Sequence, residues 1–219
     1  MEIKPIKFVI TSDTHGFHSI TKIPKCDILI HCGDYSQQGD EKASRAFAQW
    51  FSKQKATHKI LVFGNHERQI AAELPESKNW ILEECPDCHL LIDESVEIDN
   101  FFIYGSSYPF RMPQQLTIPE NKTVILVSHE PPSNILDKMV VKQTEIPWKY
   151  FHGGNGLLNQ FIQRYNPMLH CFGHCHHCYG FTVNQNTLSI NASRITEIMI
   201  PWNSPFVLQY QNNEFVLLK

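Results

Sequence analysis

Residues 7–16 read KFVITSDTHG, an apolar run that ends in two residues of types that bind metals. The run at 8–11 has the length and the β-branched content of a core strand. Asp13 and His15 follow it two positions apart on an extended turn, so both side chains can reach one cation. Because Asp-x-His also arises often by chance, the segment by itself predicts only a strand with two candidate ligands at its carboxyl end.

The same arrangement recurs along the chain, because further apolar runs also end in polar residues of ligand type. The later clusters are Gly33-Asp34, Gly64-Asn65-His66-Glu67, Ser128-His129 and Gly173-His174-Cys175-His176. In open α/β sheets, ligands bind beyond the carboxyl ends of the strands, where the loops converge. The recurrence therefore predicts one composite site at that edge of a sheet.

Each cluster also has an ordinary structural interpretation. Asp34 after a glycine can cap a turn, and Asn65 can cap a helix that starts there. His174 and His176 can be hydrogen-bonded core histidines, although Gly173 permits the tight turn that a shared centre needs. The order of all five clusters, rather than any one of them, favours a metal site.

Strand-like runs alternate with helical patterns in the first half of the chain, which favours parallel pairing. Strands follow one another quickly in the last third, which favours an antiparallel or mixed sheet. The predicted strands are 8–11, 28–31, 60–63, 101–104, 123–127, 169–172, 188–191, 206–210 and 215–218, with a further short one at 90–92. Apolar spacing predicts helices over 41–53, with an inner face of Ala43, Ala46, Phe47 and Trp50, and over 157–165, with an inner face of Leu157, Leu158, Phe161 and Ile162.

The composition is that of an ordinary globular chain, with 219 residues, 42% hydrophobic and 19% charged. This length favours one α/β domain over residues 1–219. A formal charge of −3 argues against a nucleic-acid partner, which usually requires a basic footprint. No apolar stretch has the length of a membrane span, and the N-terminus leads directly into the first strand, so we expect a cytoplasmic protein without a membrane partner. Seven cysteines, an odd number, favour reduced thiols.

Taken in order, Asp-x-His, Gly-Asp, Gly-Asn-His-Glu, His and Gly-His-x-His resemble the motifs of the calcineurin-like metallophosphoesterases. A longer similarity extends to the end of the chain and points to the small metallophosphoesterase-domain-containing branch of that family. It rests on residues 11–16, 170–180, 191–193 and 205–207. The resemblance implies a four-layer α/β/β/α sandwich of two mixed sheets flanked by helices.

The resemblance also implies two divalent or mixed-valence transition-metal ions. Oxygen and nitrogen ligands without thiolate suit manganese, iron, nickel or zinc. One ion would be held by Asp13, His15, Asp34 and His176, and the other by Asp34, Asn65, His129 and His174. His66 would face the scissile phosphate, with Glu67 as its orienting partner, so that the implied catalytic residues are His66, Asp34 and Glu67.

Such a centre predicts hydrolysis of a small phosphate ester. Two divalent cations about 3.5–4 Å apart can acidify a bridging water and hold phosphate oxygens during in-line attack. A phosphodiester such as a cyclic nucleotide is the favoured substrate, and a phosphomonoester or a Ser/Thr phosphoprotein is the alternative. A metal-binding scaffold without activity should have lost a ligand or His66. None is missing, so the sequence favours an enzyme.

Two departures from the family pattern concern the substrate. Relatives often carry glycine at the position of Glu130, and a carboxylate beside His129 would lower the local potential, which favours diesters over doubly charged monoesters. The segment 104–123 is shorter than in many relatives, so we expect a more open cleft. Candidate substrate contacts, although residues of these types are more often solvated at the surface, are Arg68, Arg111, His152 and Arg194.

The cysteines offer a rival metal site. Cys85-x-x-Cys88 and Cys175-x-x-Cys178 together have the outline of a four-thiolate zinc site. The two pairs are far apart in sequence, and the second overlaps the cluster at 173–176. The first is typical of a turn before a strand, so the sequence favours thiols without zinc.

Overall fold

Two six-stranded mixed sheets form the framework of the computed structural model, which describes residues 4–67, 76–140 and 149–218. The strands are β1 Ile6–Thr11, β2 Cys26–His31, β3 Ala56–Leu61, β4 Cys88–Leu90, β5 Glu94–Ile98, β6 Phe101–Ser106, β7 Thr123–Ser128, β8 Lys138–Val140, β9 Tyr150–His152, β10 Leu169–Phe172, β11 Gly180–Asn184, β12 Thr187–Asn191, β13 Phe206–Gln211 and β14 Glu214–Leu217. The helices are α1 Glu41–Ser52, α2 Ser77–Glu84 and α3 Gly156–Tyr165. Short 3-10 turns cover Phe17–Ile20 and His176–Cys178.

Both sheets combine parallel and antiparallel pairs. The first sheet has the order β14-β13-β1-β2-β3-β4, in which β1 to β4 are parallel and β13 and β14 are antiparallel. The second has the order β11-β12-β10-β7-β6-β5, with a parallel centre and antiparallel edges. Parallel neighbours need long crossovers, whereas the tight connection from β13 to β14 gives an antiparallel pair. The predicted mixture of pairing is therefore confirmed.

The core lies between the two sheets and under the helices. Ile10 of the first sheet and Ile125 of the second are fully buried in the layer where the sheets face each other. Phe47 of α1 and Ile81 of α2 cover the outer face of the first sheet. Phe161 of α3 covers the outer face of the second. This order of layers confirms the predicted α/β/β/α sandwich.

The inner faces of two helices differ from the predicted ones. In α1, Phe47 and Phe51 form the buried face because residues four apart lie one above the other, and Ala46 is exposed. In α3, Leu157 is 39% exposed whereas Phe161 is buried. Adjacent residues on a helix point in different directions, so Leu157 could not share the inner face with its neighbour.

The carboxyl ends of the central strands from both sheets meet at one edge of the sandwich. The backbone N–H of Ser12, after β1, donates to Ala192 after β12 at 2.9 Å, which joins the two sheets. The N–H of Asp13 donates to Gly33 after β2 at 3.0 Å. The loops that carry the candidate ligands are thus tied to one another by backbone bonds. No helix within the described part of the chain is long and apolar enough to cross a membrane.

Candidate metal centre

The structure brings all seven candidate ligands together at this edge. They come from the loops after five strands: Asp13 and His15 after β1, Asp34 after β2, Asn65 after β3, His129 after β7, and His174 and His176 after β10. The parallel strands end side by side, so residues distant in sequence become neighbours.

One group of donor atoms surrounds Asp13. The carboxylate of Asp13 and the rings of His15 and His176 each offer an atom within 4.8 Å of the others. The closest approach is 3.3 Å, between His176 Nε2 and Asp13 Oδ1. This group matches three of the four ligands implied for the first metal.

A second group surrounds Asn65. The Asn65 Oδ1 atom lies 3.0 Å from His129 Nε2 and 3.0 Å from His174 Nδ1. The Nδ1 of His129 lies 2.8 Å from the carbonyl of Cys32, so an Nδ1–H that donates there leaves Nε2 free to face the centre. Asp34, His129 and His174 offer donor atoms within 4.8 Å of one another.

Asp34 lies between the two groups. Its Oδ2 is 3.2 Å from His129 Nε2 on one side and 3.7 Å from His15 Nε2 on the other. Its Oδ1 accepts a hydrogen bond from the backbone N–H of His66 at 3.0 Å. One carboxylate is therefore within reach of both groups of donors.

His15 provides the test of whether the residues fit a metal ion. Both of its ring nitrogens are buried and have no hydrogen-bond partner among the described residues. Burial lowers the pKa of His15 to about 4, although Asp13 and Asp34 act in the opposite direction. A neutral buried imidazole with unused nitrogens, facing two carboxylates, fits a divalent cation.

The charges of the centre also fit a bound cation. Burial alone would raise the pKa of Asp13 and of Asp34, but the nearby histidines, His176 for Asp13 and His129 for both, lower each below its usual range. Burial would lower the pKa of His129 too, yet Asp34 and Asp13 raise it to about 10. Two buried ionised carboxylates need positive charge beside them.

The loops hold unusual backbone conformations at the centre. Positive φ angles occur at Asp13 (51°), His15 (40°), Asp34 (53°) and His174 (67°). Each costs on the order of 1–3 kcal/mol for a residue other than glycine and persists only where the surroundings enforce it. Two glycines allow the close approach: a Cβ at Gly64 would overlap Asp34 Oδ1, and one at Gly173 would overlap Asp13 Oδ2.

Glu67 supports the Asp34 loop. Its Oε2 accepts from the backbone N–H groups of Asp34 at 2.7 Å and Gly64 at 3.0 Å, and its Oε1 accepts from Ser36 N at 3.1 Å. The family resemblance implies Glu67 as the partner of His66, whereas these contacts connect it to the backbone around Asp34. Burial and the charge of Asp34 raise the pKa of Glu67 to about 8, against the effect of its backbone hydrogen bonds.

Ser193 and Asn191 support Asp13, and neither residue was predicted to have a role at the centre. The Ser193 hydroxyl lies 3.0 Å from Asp13 Oδ2 and 2.7 Å from Asn191 Oδ1. The amide of Asn191 donates to the carbonyl groups of Gly173 at 3.3 Å and Cys175 at 2.9 Å. Their position just past an apolar run, like that of the ligands, was the available signal.

His66 lies at the open side of the centre. Its side chain is 34% exposed, and its Nε2 lies 3.8 Å from Asp34 Oδ2. Its ring meets that of His15 edge to face, with centroids 4.7 Å apart, and its Nδ1 faces the carbonyl of Gln37. Donor atoms of His15, Asp34 and His66 also lie within 4.8 Å of one another, so the geometry permits a ligand role as well as a proton-transfer role.

The candidate substrate contacts are not part of this cluster as the structure describes it. Arg111 lines a surface cavity with Asp93 and Tyr104. His152 lies on β9, and its Nδ1 is 2.8 Å from the carboxylate of Asp137. Arg194 Nε donates to the Thr21 hydroxyl at 3.2 Å. Arg68 lies outside the described residues.

Glu130 is anchored next to the centre. Its Oε2 accepts from the backbone N–H of Phe110 at 2.6 Å and from Asn155 at 3.2 Å. Burial, then the charges of Glu130 and Asp34, raise the pKa of Tyr108, whose ring lies 5.8 Å from that of His174. The Glu130 carboxylate thus acts on groups that border the centre.

The cysteine pairs lie in different parts of the fold, one between α2 and β4 and the other at the 3-10 turn after β10. Cys85 donates to Asp87 beside β4 at 3.3 Å, whereas Cys178 donates to the Lys138 carbonyl of β8 at 3.4 Å. Among the described residues, the groups able to hold a metal contain histidine and aspartate and no cysteine.

Known proteins are similar to this chain in sequence and in fold. The family model described as calcineurin-like phosphoesterase matches residues 6–178. A human protein named metallophosphoesterase domain-containing protein 1 is 30% identical over 234 residues, which cover 92% of this chain and 70% of that protein. A Caenorhabditis elegans protein of the UPF0046 group is 33% identical over 218 residues, with coverages of 86% and 75%.

Two solved structures resemble the fold. One, described as a novel archaeal phosphodiesterase, has a TM-score of 0.55 at 17% identity and covers 97% of this chain and 100% of its own. The other, phosphopantetheinyl hydrolase from Mycobacterium tuberculosis, has a TM-score of 0.60 at 12% identity, with coverages of 97% and 96%. At such identities the likeness concerns the fold alone, and it agrees with the two-sheet sandwich.

Proposed function

We propose that this chain, which belongs to the calcineurin-like phosphoesterase family and hydrolyses phosphate esters with bound metal ions, acts preferentially on phosphodiesters. The similarity to the human protein places it in the metallophosphoesterase-domain-containing branch. The observation that carries the proposal is the charge around the seven candidate ligands. Among the described residues, the charged side chains that most shift the pKa values of the six titratable ligands are histidines and carboxylates.

The seven ligands divide into two overlapping sets. Asp13, His15, Asp34 and His176 would hold one ion, and Asp34, Asn65, His129 and His174 would hold the other. When bound, two divalent cations supply a water of lowered pKa and positive charge for the phosphate oxygens. Asp13 and Asp34 offset only part of that charge, so the centre attracts an anion although the chain is acidic.

A singly charged ester suits this surrounding better than a doubly charged one. Phosphatases for dianionic monoesters gain from arginine or lysine beside the phosphate, because these cations pair with its oxygens. Here the carboxylate of Glu130, anchored on Phe110 and next to His129 in the chain, adds negative charge beside the centre. A diester presents one negative charge to this carboxylate and therefore meets less repulsion.

His66 is placed to transfer a proton. Its Nδ1–H can donate to the Gln37 carbonyl in both the charged and the neutral ring. That contact directs Nε2 toward the open side of Asp34. A protonated His66 can then give its Nε2 proton to the leaving oxygen and remain held as the neutral tautomer.

Paired substrates test the diester preference. The metal-loaded protein should hydrolyse bis(p-nitrophenyl) phosphate with a kcat/KM about tenfold above that for p-nitrophenyl phosphate. Glu130→Gln keeps an oxygen for the Phe110 bond and removes the charge, so it should narrow the ratio by raising the monoester rate. A wild-type preference for the monoester would contradict the proposal.

A further inference from the structure

A pocket opens beside the centre on the side of His176. It has a volume of about 440 Å³, within the range of small-molecule sites. Its lining residues are His176, His177, Tyr179, Thr196, Glu197, Ile198, Ile200, Trp202 and Asn203. Because His176 Nε2 lies 3.3 Å from Asp13, a group in this pocket is one side chain away from the reaction centre.

The pocket presents apolar surface to solvent. Trp202 is 80% exposed, Ile198 60% and Ile200 46%. Solvent-exposed large apolar side chains that cluster beside a polar site usually mark a place where something binds. An indole face is also well suited to stack on a flat ring.

The backbone of this segment is fixed rather than loose. The N–H of Thr196 donates to the Ile200 carbonyl at 2.9 Å, and the N–H of Trp202 donates to the same carbonyl at 2.9 Å. The side-chain amide of Asn203 donates to the carbonyl of Ser193 at 2.8 Å. Since the Ser193 hydroxyl contacts Asp13, the pocket wall is tied to the loop that carries a metal ligand.

The charge of the pocket determines what it can hold. Its nine lining residues include one carboxylate, Glu197, and no lysine or arginine. The Glu197 Oε1 accepts the backbone N–H of His177 at 2.9 Å, so the carboxylate stays at this wall. Among the described residues that line the pocket, a second phosphate would meet no lysine or arginine, whereas an uncharged ring would meet apolar surface.

We propose that this pocket binds the uncharged aromatic group that stays on phosphorus in a phosphodiester substrate, as in an aryl or nucleoside ester, by stacking on Trp202. The inference rests on the proposed phosphodiesterase function. His66, the proposed proton donor to the leaving group, and His176 both contact the ring of His15, at centroid distances of 4.7 and 5.3 Å, and of the two only His176 lines the pocket. The pocket is therefore assigned to the group that does not leave.

Esters with one common leaving group test the assignment. The probes are the methyl, phenyl and 5′-thymidyl esters of p-nitrophenyl phosphate, which all release p-nitrophenolate. Wild-type kcat/KM should be about tenfold higher for the phenyl and thymidyl esters than for the methyl ester. Trp202→Ala should reduce that ratio to near one by lowering kcat/KM for the phenyl and thymidyl esters, and Trp202→Phe should keep most of the ratio. The matched control is Val216→Ala, an apolar residue 49% exposed on β14, which should change nothing.

Binding provides a second readout that does not depend on turnover. Calorimetry with phenylphosphonate and methylphosphonate should show a preference for the phenyl compound that Trp202→Ala removes. If no diester is hydrolysed but this preference persists, the proposed function fails and the pocket stands. If all three esters are hydrolysed at ratios near one that Trp202→Ala leaves unchanged, the pocket assignment is overturned.

The same surface could instead join two copies of the chain. Sedimentation of wild type and Trp202→Ala distinguishes this outcome. A dimer that Trp202→Ala dissociates, together with unchanged ester ratios, would make the surface an interface and overturn the proposal. A wild type and variant of equal mass, with the ester ratio lost in the variant, would support it.

Discussion

The two halves of the centre are supported by different chemistry. In the Asp13 half (Asp13, His15 and His176), the carboxylate is contacted by neutral donors, the Ser193 hydroxyl at 3.0 Å and the backbone N–H of His174 at 3.1 Å. In the Asp34 half (Asp34, Asn65, His129 and His174), the loop is held by a third carboxylate, that of Glu67, through the N–H of Asp34 at 2.7 Å.

Because of this difference, the support of the Asp34 half adds negative charge beside a buried carboxylate, and that of the Asp13 half does not. Burial and the charge of Asp34 raise the pKa of Glu67 to about 8, which shows that the fold opposes an additional negative charge there. Neutral donors around Asp13 bring no such repulsion. We therefore expect the Asp34 half to depend more strongly on its ligands and supports than the Asp13 half does.

The largest expected effect follows loss of the shared carboxylate. Asp34 Oδ2 faces both groups of donors, so Asp34→Asn should weaken both metals and reduce activity to near background. Asn65 belongs to one group of donors only. Asn65→Ala should therefore weaken one metal more than the other and reduce activity less than Asp34→Asn does. Elemental analysis and kcat/KM of both variants measure the difference. Retention of two metals and a near-normal rate in Asp34→Asn would show that Asp34 is not shared.

The next effect separates His66 from the ligands of the Asp34 half. His66→Ala should leave the metal content nearly intact and lower the chemical step by roughly 10²–10⁴-fold for an ester with a poor leaving group. An ester of p-nitrophenol should suffer less, because its phenolate departs without a proton. His129→Ala and His174→Ala should lose metal first. Equal damage to both esters would remove the acid role, and metal loss in His66→Ala would make His66 a ligand.

Smaller effects come from the supports. Glu67→Gln replaces one accepting oxygen by an amide nitrogen that cannot accept from backbone N–H groups, so metal affinity should fall by about 10–100-fold. Ser193→Ala removes one neutral donor to Asp13 and should lower metal affinity by about tenfold. Ser189→Ala is the control, since the buried Ser189 hydroxyl on β12 has no hydrogen-bond partner in the described part of the chain. If Ser193→Ala lowered metal affinity more than Glu67→Gln, the Asp13 half rather than the Asp34 half would depend more strongly on its supports.

The smallest expected effect concerns the pH dependence of folding stability. It involves a buried histidine on β10, the strand that precedes His174 of the Asp34 half. His170 Nε2 lies 2.8 Å from the Ser128 hydroxyl, its buried Nδ1 has no hydrogen-bond partner among the described residues, and burial lowers its pKa to about 3. Below the unfolded pKa of about 6.5, the unfolded chain binds a proton that the folded one does not, so folding stability falls as the pH is lowered.

One variant isolates this contribution. His170→Gln retains a donor for Ser128 and removes the titration, so between pH 6.5 and pH 5 the metal-free variant should lose about 1.6 kcal/mol less unfolding free energy than wild type. Urea unfolding at the two pH values measures it. An equal loss in both proteins would show that His170 is not protonated on unfolding in this range.

Sequence predicted the fold best where strands are buried on both faces. The strand at 169–172 was predicted with its observed bounds because all four residues are buried. The edge strands β5 and β11 were missed, since their mostly exposed residues carry little apolar signal. Helix α2 was missed as well, because its apolar residues are few and form only a weak stripe. The strand predicted at 90–92 lies at Cys88–Leu90.

For the site, sequence predicted which residues meet but not what supports them. The ligands could be predicted from the sequence because each follows an apolar strand and has a metal-binding side chain. Ser193 contacts Asp13 across 180 positions, and Glu67 contacts Asp34 across 33. These contacts depend on how the loops pack, and serine or glutamate just past a strand or glycine is too common to indicate them.

The central claim is that two metals share Asp34 between ligand sets drawn from five loops. Anomalous diffraction from crystals soaked in manganese tests it most directly. The expected result is two peaks, one bordered by Asp13, His15 and His176, the other by Asn65, His129 and His174, with Asp34 contacting both. A single peak, a peak coordinated by His66, or metal at the cysteine pairs with none at Asp34 would contradict it.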